Sequence, residues 1–239
     1  MIPKVIHYIW LGGNPTPKLF DKCLKSWQKF CPDYQIKRWD ETNLNINKYD
    51  FTKDAYAARK FAFVSDVFRT EILYNEGGIY LDVDVELLKP LDEILQNIDC
   101  VMGFETSNKL APGLIMATIK NNSDLKNILD IYKNMKFDQN NLQNNVICDI
   151  FTNYYKTKGL KTKNSTQKIE STIFYSSEFF SPIDAITNKK HIKKNTYSIH
   201  WYNASWYNSK QKFKNKLKKI LNVLSFGLAG KLYNKLRNK

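Results

Sequence analysis

No stretch of about 18 consecutive apolar residues occurs in the chain, so the sequence offers no helix that spans a bilayer. The opening MIPKVIHYIWLGG lacks a charged leader followed by an uninterrupted apolar core, and no secretory signal is expected. Cysteine is sparse: four residues, at 23, 31, 100 and 148, with no CxxC pair. That excludes a disulfide scaffold and predicts reduced, packed thiols, as in a cytosolic protein. There is no internal repeat. Missing too are the GxxxxGK[ST] phosphate loop, the GxSxG elbow, the HExxH helix and the GxGxxG turn, each the signature of another chemistry. One more absence is local: between Lys210 and Lys239 there is no acidic residue, against ten basic ones.

What is present suffices for a packed core. Of 239 residues, 43% are apolar and 14% aromatic, too many for a disordered chain and about right for one domain with an appendage. The 37 Lys+Arg and 23 Asp+Glu give a net charge of +14. Removing the last thirty residues leaves 27 basic against 23 acidic residues, only +4. The basicity therefore belongs mainly to a tail at 210–239, and the folded domain is expected at 1–209.

Periodicity outlines that body. Val5–Leu11 reads as a buried strand closed by Gly12-Gly13. Leu19–Phe30 suits a helix with Leu24 and Trp27 inward, and Tyr34–Trp39 a second strand. A helix capped by Asp54 is predicted to run to about Asn75, ended by Gly77-Gly78. Ile79–Leu88 (IYLDVDVELL) is the clearest strand. This order argues for an α/β fold with a mostly parallel sheet. Further strands are expected at Cys100–Phe104, Leu114–Ala117, Ile173–Tyr175 and Tyr197–Trp201, with helices at Asp124–Met135 and Leu142–Tyr155. Residues 156–168 are polar and predict a surface excursion.

A two-residue period along 79–86 sets Asp82 and Asp84 on one face, their Cα atoms about 6.6 Å apart. Two carboxylates that close repel unless a cation or proton lies between them, and a hard divalent ion takes oxygen ligands. Alone, the pattern also describes a half-exposed strand with an acidic outer face. The preceding helix adds Asp66 and Arg69 one turn apart, either an ordinary surface pair or an acid for hydroxyls beside a cation for phosphate. The apolar setting of Trp10 also suits the core. His7 reads as core or a satisfied polar group, His191 as exposed, and Glu86 as outside the site.

The run FAFVSDVFRTEILYNEGGIYLDVDVELLKPL resembles the sugar-binding region of DxD-motif glycosyltransferases, above all the capsular-polysaccharide and Och1-like mannosyltransferase group. The glucosylating domains of clostridial toxins are more distantly similar. IPKVIHYIWLGG with CPDYQIKRWDETN resembles that family's nucleotide-binding start, and IHWYNASW its closing His-x4-Ser-Trp element. The resemblance implies a nucleotide-binding α/β domain of GT-A type, a nucleoside-diphosphate sugar donor (a UDP-sugar ahead of a GDP-sugar), and Mn2+ or Mg2+. It implies that Trp10 flanks the nucleobase where Gly12 lets the backbone approach. Asp66, Arg69 and Tyr80 would meet the donor sugar, and Asp82 and Asp84 would hold the metal. His200 and Ser205 would approach the metal, with Trp206 over the diphosphate. It further implies retention of anomeric configuration, with Asp82, Asp84 and Arg69 acting on the leaving diphosphate. No acceptor-side residue is assigned, because NLQNNVICDIFTNYY departs from the family pattern.

In the tail, Phe213, Leu217, Ile220, Leu221 and Leu224 share one helical face amid lysines. That is the composition of a basic amphipathic helix on an anionic membrane surface; docking on the chain's own domain is the other reading. No nucleic-acid-reading motif accompanies the charge, so nucleic acid is not an expected partner. The expected function is transfer of a sugar to a hydroxyl of a growing surface glycan such as capsule or lipopolysaccharide. The acceptor would be a glycan or lipid-linked glycan, and the location cytoplasmic, on the inner face of the membrane. The competing reading is a non-catalytic basic protein that binds membrane or nucleic acid.

Overall fold

A computed structural model describes residues 1–105, 108–183 and 189–202. The first half carries β1 (Val5–Ile9), α1 (Lys18–Phe30), β2 (Gln35–Trp39), α2 (Asp50–Ala57), α3 (Phe61–Glu76), β3 (Gly78–Tyr80), β4 (Val85–Leu87) and α4 (Asp92–Leu95). The second carries β5 (Cys100–Gly103), β6 (Met116–Thr118), α5 (Ser123–Lys133), α6 (Ile147–Thr157), β7 (Gln167–Ile169), β8 (Thr172–Tyr175), α7 (Ser177–Phe180) and β9 (Ser198–His200). The main sheet has seven strands in the order β2-β1-β3-β6-β5-β8-β7, and β4 pairs with β9 in a separate ribbon. β2, β1, β3, β5 and β8 run in one direction; β6 and the edge strand β7 run against them. The fold is a mixed α/β one with a mostly parallel sheet, as expected.

Alternation along the strands divides the core between the two faces of the sheet. Ile6, Tyr8, Ile79 and Leu81 pack with Phe20, Cys23 and Trp27 of α1. Ile9, Tyr80, Cys100 and Met102 pack on the other side with Val64, Val67 and Phe68 of α3 and with α5 and α6. The inner face of α1 is thus Phe20, Cys23 and Trp27, with Leu24 only half-buried. The four thiols are free, and burial pushes Cys23 and Cys100 up to about 12, so they are inert packing groups.

Three expectations need correction. The long helix is two, because Arg59 adopts φ 56° and closes α2 with Arg59 N–H to Tyr56 O and Lys60 N–H to Ala55 O. That is a left-handed helix stop, with Arg59 where glycine is more usual; Asp54 lies inside α2 rather than at its start. The helix predicted from Leu142 begins as a 3-10 turn, Leu142–Asn145, and α6 proper starts at Ile147. The strand predicted over 79–88 is broken: Leu81 N–H makes the last bond to β1, at His7 O, and the chain then turns away from the sheet.

Candidate active site

That break forms the site. Val85 N–H reaches back to Asp82 O (3.0 Å), closing a tight turn over Asp82–Val85 between β3 and β4. A straight strand would have set the two aspartates side by side on a half-solvated face. The turn instead buries Asp84 (7% exposed) and leaves Asp82 partly open. β9 then lies antiparallel on β4, with Val85 opposite His200. His200 Nε2 comes to 3.0 Å from Asp84 Oδ1 and 4.0 Å from Asp82 Oδ2. One ligand atom from each of Asp82, Asp84 and His200 falls within a mutual span of 4.8 Å.

Those spacings suit a small hard cation. Oxygen ligands at about 2.1 Å in octahedral geometry lie about 3.0 Å apart when adjacent and about 4.2 Å apart when opposite. Two carboxylates and one imidazole also form the mixed oxygen and nitrogen set that Mn2+ and related ions accept. Burial pulls the His200 imidazole down, but Asp84, Asp82 and Glu105 outweigh it and hold its pKa above the usual value. The pocket therefore already calls for positive charge beside its acids.

The second half of the site comes from α3. Arg69 is 4% exposed, and its Nη2 lies 3.0 Å from Asp66 Oδ1, 3.3 Å from Asp82 Oδ1 and 3.0 Å from Ser65 Oγ. Its guanidinium packs 4.6 Å from the centre of the Tyr80 ring, and Tyr80 Oη donates to Asp82 Oδ1 (3.1 Å). Burial pushes Asp66 up to about 7; Arg69 pulls the other way and Asp82 adds to the push. Asp66 and Arg69 are therefore not a solvent-facing helix pair: they are sealed into one network with the metal-type triad.

Trp10 and Gly12 follow the end of β1, whose neighbour β3 leads into Asp82. Ligand sites on such sheets gather at the carboxyl ends of parallel strands. Trp10 is buried, its Nε1–H donating to Asn14 O (2.6 Å), and Gly12 N–H donates to Glu41 Oε1 (2.5 Å). Gly12 has φ 90°, and a Cβ there would sit 2.4 Å from the Phe61 ring, so only glycine fits. Ser205 and Trp206, with the whole tail, lie outside the described residues.

Residues 17–101 match the glycosyltransferase sugar-binding region containing the DXD motif. The matched DXD segment includes Asp66, Arg69, Tyr80, Asp82 and Asp84 but stops short of His200. An inositol phosphoceramide mannosyltransferase 3 of Schizosaccharomyces pombe is 34% identical over 98 residues, covering 39% of this chain and 27% of that protein. The initiation-specific alpha-1,6-mannosyltransferase of Candida albicans is 29% identical over 122 residues, 47% of this chain and 32% of that one. The alignments thus span about a third of those relatives or less. Among solved structures, the PaToxG glycosyltransferase aligns with a TM-score of 0.49 at 21% identity, covering 65% of this chain and 68% of its own.

Three residues of the site were not anticipated. Gly113 hydrogen-bonds Asp82 N–H through its carbonyl (3.1 Å), and a Cβ on it would lie 2.0 Å from Asp82 Oδ2. Pro112-Gly113 between two apolar pairs was the available signal for a close approach. Tyr202 packs edge-on to His200 with ring centres 4.3 Å apart. Glu105 acts on the charge of both His200 and Tyr202. Glu86, read as outside the site, accepts from Trp201 Nε1–H (2.9 Å) and pairs with Lys22 (2.7 Å), fastening the ribbon that bears His200.

Proposed function

We propose that the chain is a metal-dependent glycosyltransferase that moves a sugar from a nucleoside diphosphate to a hydroxyl acceptor. The observation that carries this reading is the Asp82–Asp84–His200 triad, built around the buried Asp84. Its two aspartates lie in the segment that matches the DXD region, where Arg69 joins Asp82 to Asp66. A non-catalytic basic protein has no use for such a cluster, whose burial costs free energy unless a cation or ligand offsets it. Asp82, Asp84 and His200 would hold the divalent ion, Mn2+ or Mg2+; when bound, the ion supplies positive charge to a diphosphate leaving group.

The chain's own residues supply the rest. Arg69 is fixed by Ser65, Asp66 and Asp82, so its charge is preorganised rather than recruited at the moment of bond breaking. Asp66, with its pKa near neutrality, accepts from or donates to a sugar hydroxyl. Tyr80 braces Asp82 through its hydroxyl (3.1 Å). Trp10 and Gly12 lie at the base-binding end in this reading, with Ser205 and Trp206 closing on the metal and diphosphate.

Finer assignments extend the same proposal: a UDP-sugar or GDP-sugar donor, retention at the anomeric carbon, and a surface glycan or lipid-linked glycan acceptor such as capsule or lipopolysaccharide. The tail adds a peripheral position on an anionic inner membrane face. The sphingolipid substrate class in the name of the S. pombe relative is compatible with an acceptor at a membrane. The deciding experiment is a panel of sugar nucleotides incubated with the full chain, with and without Mn2+. Metal-dependent release of a nucleoside diphosphate from one of them supports the reading; release from none, with Mn2+ bound, sinks it.

A further inference from the structure

The parallel strands β1, β3, β5 and β8 all deliver their carboxyl ends to one edge of the sheet. Asp82 follows β3, Glu105 follows β5, and a second concavity follows β8. It is a cleft of about 560 Å³ lined by Asn164, Ser165, Thr166, Ser176, Ser177 and Ser181. That volume lies within the usual range for small-ligand sites, roughly 300–1,000 Å³. β8 stands three strand spacings from β3 in the sheet order, about 14 Å at 4.8 Å each. The gap between cleft and triad is bridged by side chains: Ser181 Oγ is 2.7 Å from Tyr202 Oη, and the Tyr202 ring rests on His200.

The lining is chemically selective. The Asn164 amide is tied to Ser177 at both ends (2.7 Å each), Thr166 Oγ1 accepts from Ser176 N–H (3.2 Å) and Ser181 meets Tyr202. Each of the five hydroxyls still keeps unspent hydrogen-bonding capacity and suits a ligand that is itself dense in hydroxyls. Glu178, Pro182, His191 and Lys193 complete the lining, the last two from the run Lys189-Lys190-His191-Ile192-Lys193-Lys194. The acid in the lining, Glu178, is already engaged by Lys193 (2.7 Å) and by Asn195. Lys190 Nζ lies 4.2 Å from the centre of the Trp201 ring, which sets positive charge beside the strand end carrying His200. Lys193 and Glu178 cancel one another within the lining, so the positive excess at the cleft comes from the other lysines of the run, Lys189, Lys190 and Lys194, which the chain carries beside it. The cleft combines carbohydrate-like hydrogen bonding with that neighbouring charge, a setting that attracts anions.

We propose that this cleft is the acceptor site, and that its acceptor is a saccharide bearing a phosphate group. The inference rests on the glycosyltransferase reading of the neighbouring triad and assigns the half of the reaction which that reading leaves open. The acceptor hydroxyl would enter from the Ser181–Tyr202 side, with the phosphate held at the lysine rim.

The test is calorimetric titration of the full chain, saturated with Mn2+ and UDP, using a hexose 6-phosphate, the matching hexose and inorganic phosphate. The sugar phosphate should bind about tenfold tighter than either fragment, the gain of one charge-assisted contact set. Ser165→Trp, which fills the cleft from a half-buried position, should abolish that binding. Lys193→Gln/Lys194→Gln should reduce it to the level of the neutral hexose. Equal binding of phosphate and sugar phosphate, or binding that survives Ser165→Trp, overturns the assignment. Vesicles of phosphatidylglycerol provide the last arm. If vesicle binding falls in Lys193→Gln/Lys194→Gln but not in Ser165→Trp, while the sugar phosphate does not bind, the rim is a membrane contact and the proposal fails. A parent chain that takes up neither Mn2+ nor UDP counts instead against the glycosyltransferase reading itself.

Discussion

At the scale of single residues, the site is over-determined around Asp82. Its carboxylate meets Tyr80 Oη, Arg69 Nη2 and, more loosely, His200 Nε2, while its backbone N–H is held by Gly113 O. Gly113 has no room for a methyl group. Gly113→Ala should push Asp82 off its partners, costing about 1–3 kcal/mol of stability by overpacking and most of the metal affinity. Chemical denaturation and Mn2+ titration by electron paramagnetic resonance check the two parts; unchanged metal binding would show that Asp82 is not a ligand. Asp84→Ala is the complementary change, because Asp84 is buried against His200. Loss of Mn2+ binding with a retained circular dichroism spectrum is expected, and normal turnover of any sugar nucleotide by this variant would remove Asp84 from the chemistry.

At the scale of elements, two short strands determine whether His200 arrives at all. β4 and β9 share three residue pairs, little for an isolated ribbon, and the remaining support comes from side chains. Trp201 N–H bonds Asp84 O (3.0 Å), its indole N–H bonds Glu86, and Lys22 and Lys190 lie over its ring at 4.6 and 4.2 Å. Trp201→Leu should therefore loosen β9 and weaken Mn2+ binding about tenfold, the scale of outer-shell support. Glu86→Gln, which keeps an acceptor for the indole, should retain most of the parent affinity in parallel titrations; identical affinity in all three proteins would mean β9 is fixed by something else. β1 offers a different check. His7 is fully buried, with Nε2–H donating to Gly77 O (3.0 Å) and Nδ1 accepting from Trp39 (3.1 Å), and burial lowers its pKa from 6.5 to about 4. A lowered pKa means the folded state prefers the neutral ring. Its contribution is complete above pH 6.5 and is lost as pH falls toward 4, at most about 3 kcal/mol. Urea midpoints at pH 7 and 4.5 should fall less for His7→Gln than for the parent; equal slopes would show that His7 is not the buried neutral group described.

At the scale of the molecule, what the sequence revealed and what it hid have the same cause. Local period and punctuation marked β1, α1, β2, α5 and β8 within a few residues, because each pattern reports packing within or against the one sheet. Tyr80 and His200 entered through the resemblance to DxD glycosyltransferases, whereas Asp82 and Asp84 were legible from their two-residue spacing and Asp66 and Arg69 from one helical turn. The turn at 82–85 was not: IYLDVDVELL alternates as a strand should, and only pairing with β9, more than a hundred residues later, draws β4 out of the sheet. Gly113 and Tyr202 were hidden likewise, since their roles depend on contacts between distant segments. Charge presents the reverse case, visible in sequence and outside the described residues. The +14 of the whole chain falls to +4 without residues 210–239, so the body that holds the acidic triad is nearly balanced. Among the described residues no helix is long and apolar enough to cross a membrane. Attraction to a surface would then rest on the lysines of the tail, each contributing about 1 kcal/mol near anionic lipid, and on Phe213, Leu217, Ile220, Leu221 and Leu224 as a buried stripe. Truncation after Ser209 should abolish sedimentation with phosphatidylglycerol vesicles and leave the nucleotide- and Mn2+-dependent rise in melting temperature unchanged. For the intact chain, raising salt from 0.1 to 0.5 M should release most of the bound protein, because surface attraction is screened over about 10 Å at the lower concentration. If the truncated chain still sediments, the lysine-rimmed cleft rather than the tail is what meets the membrane, and the +14 says nothing about location.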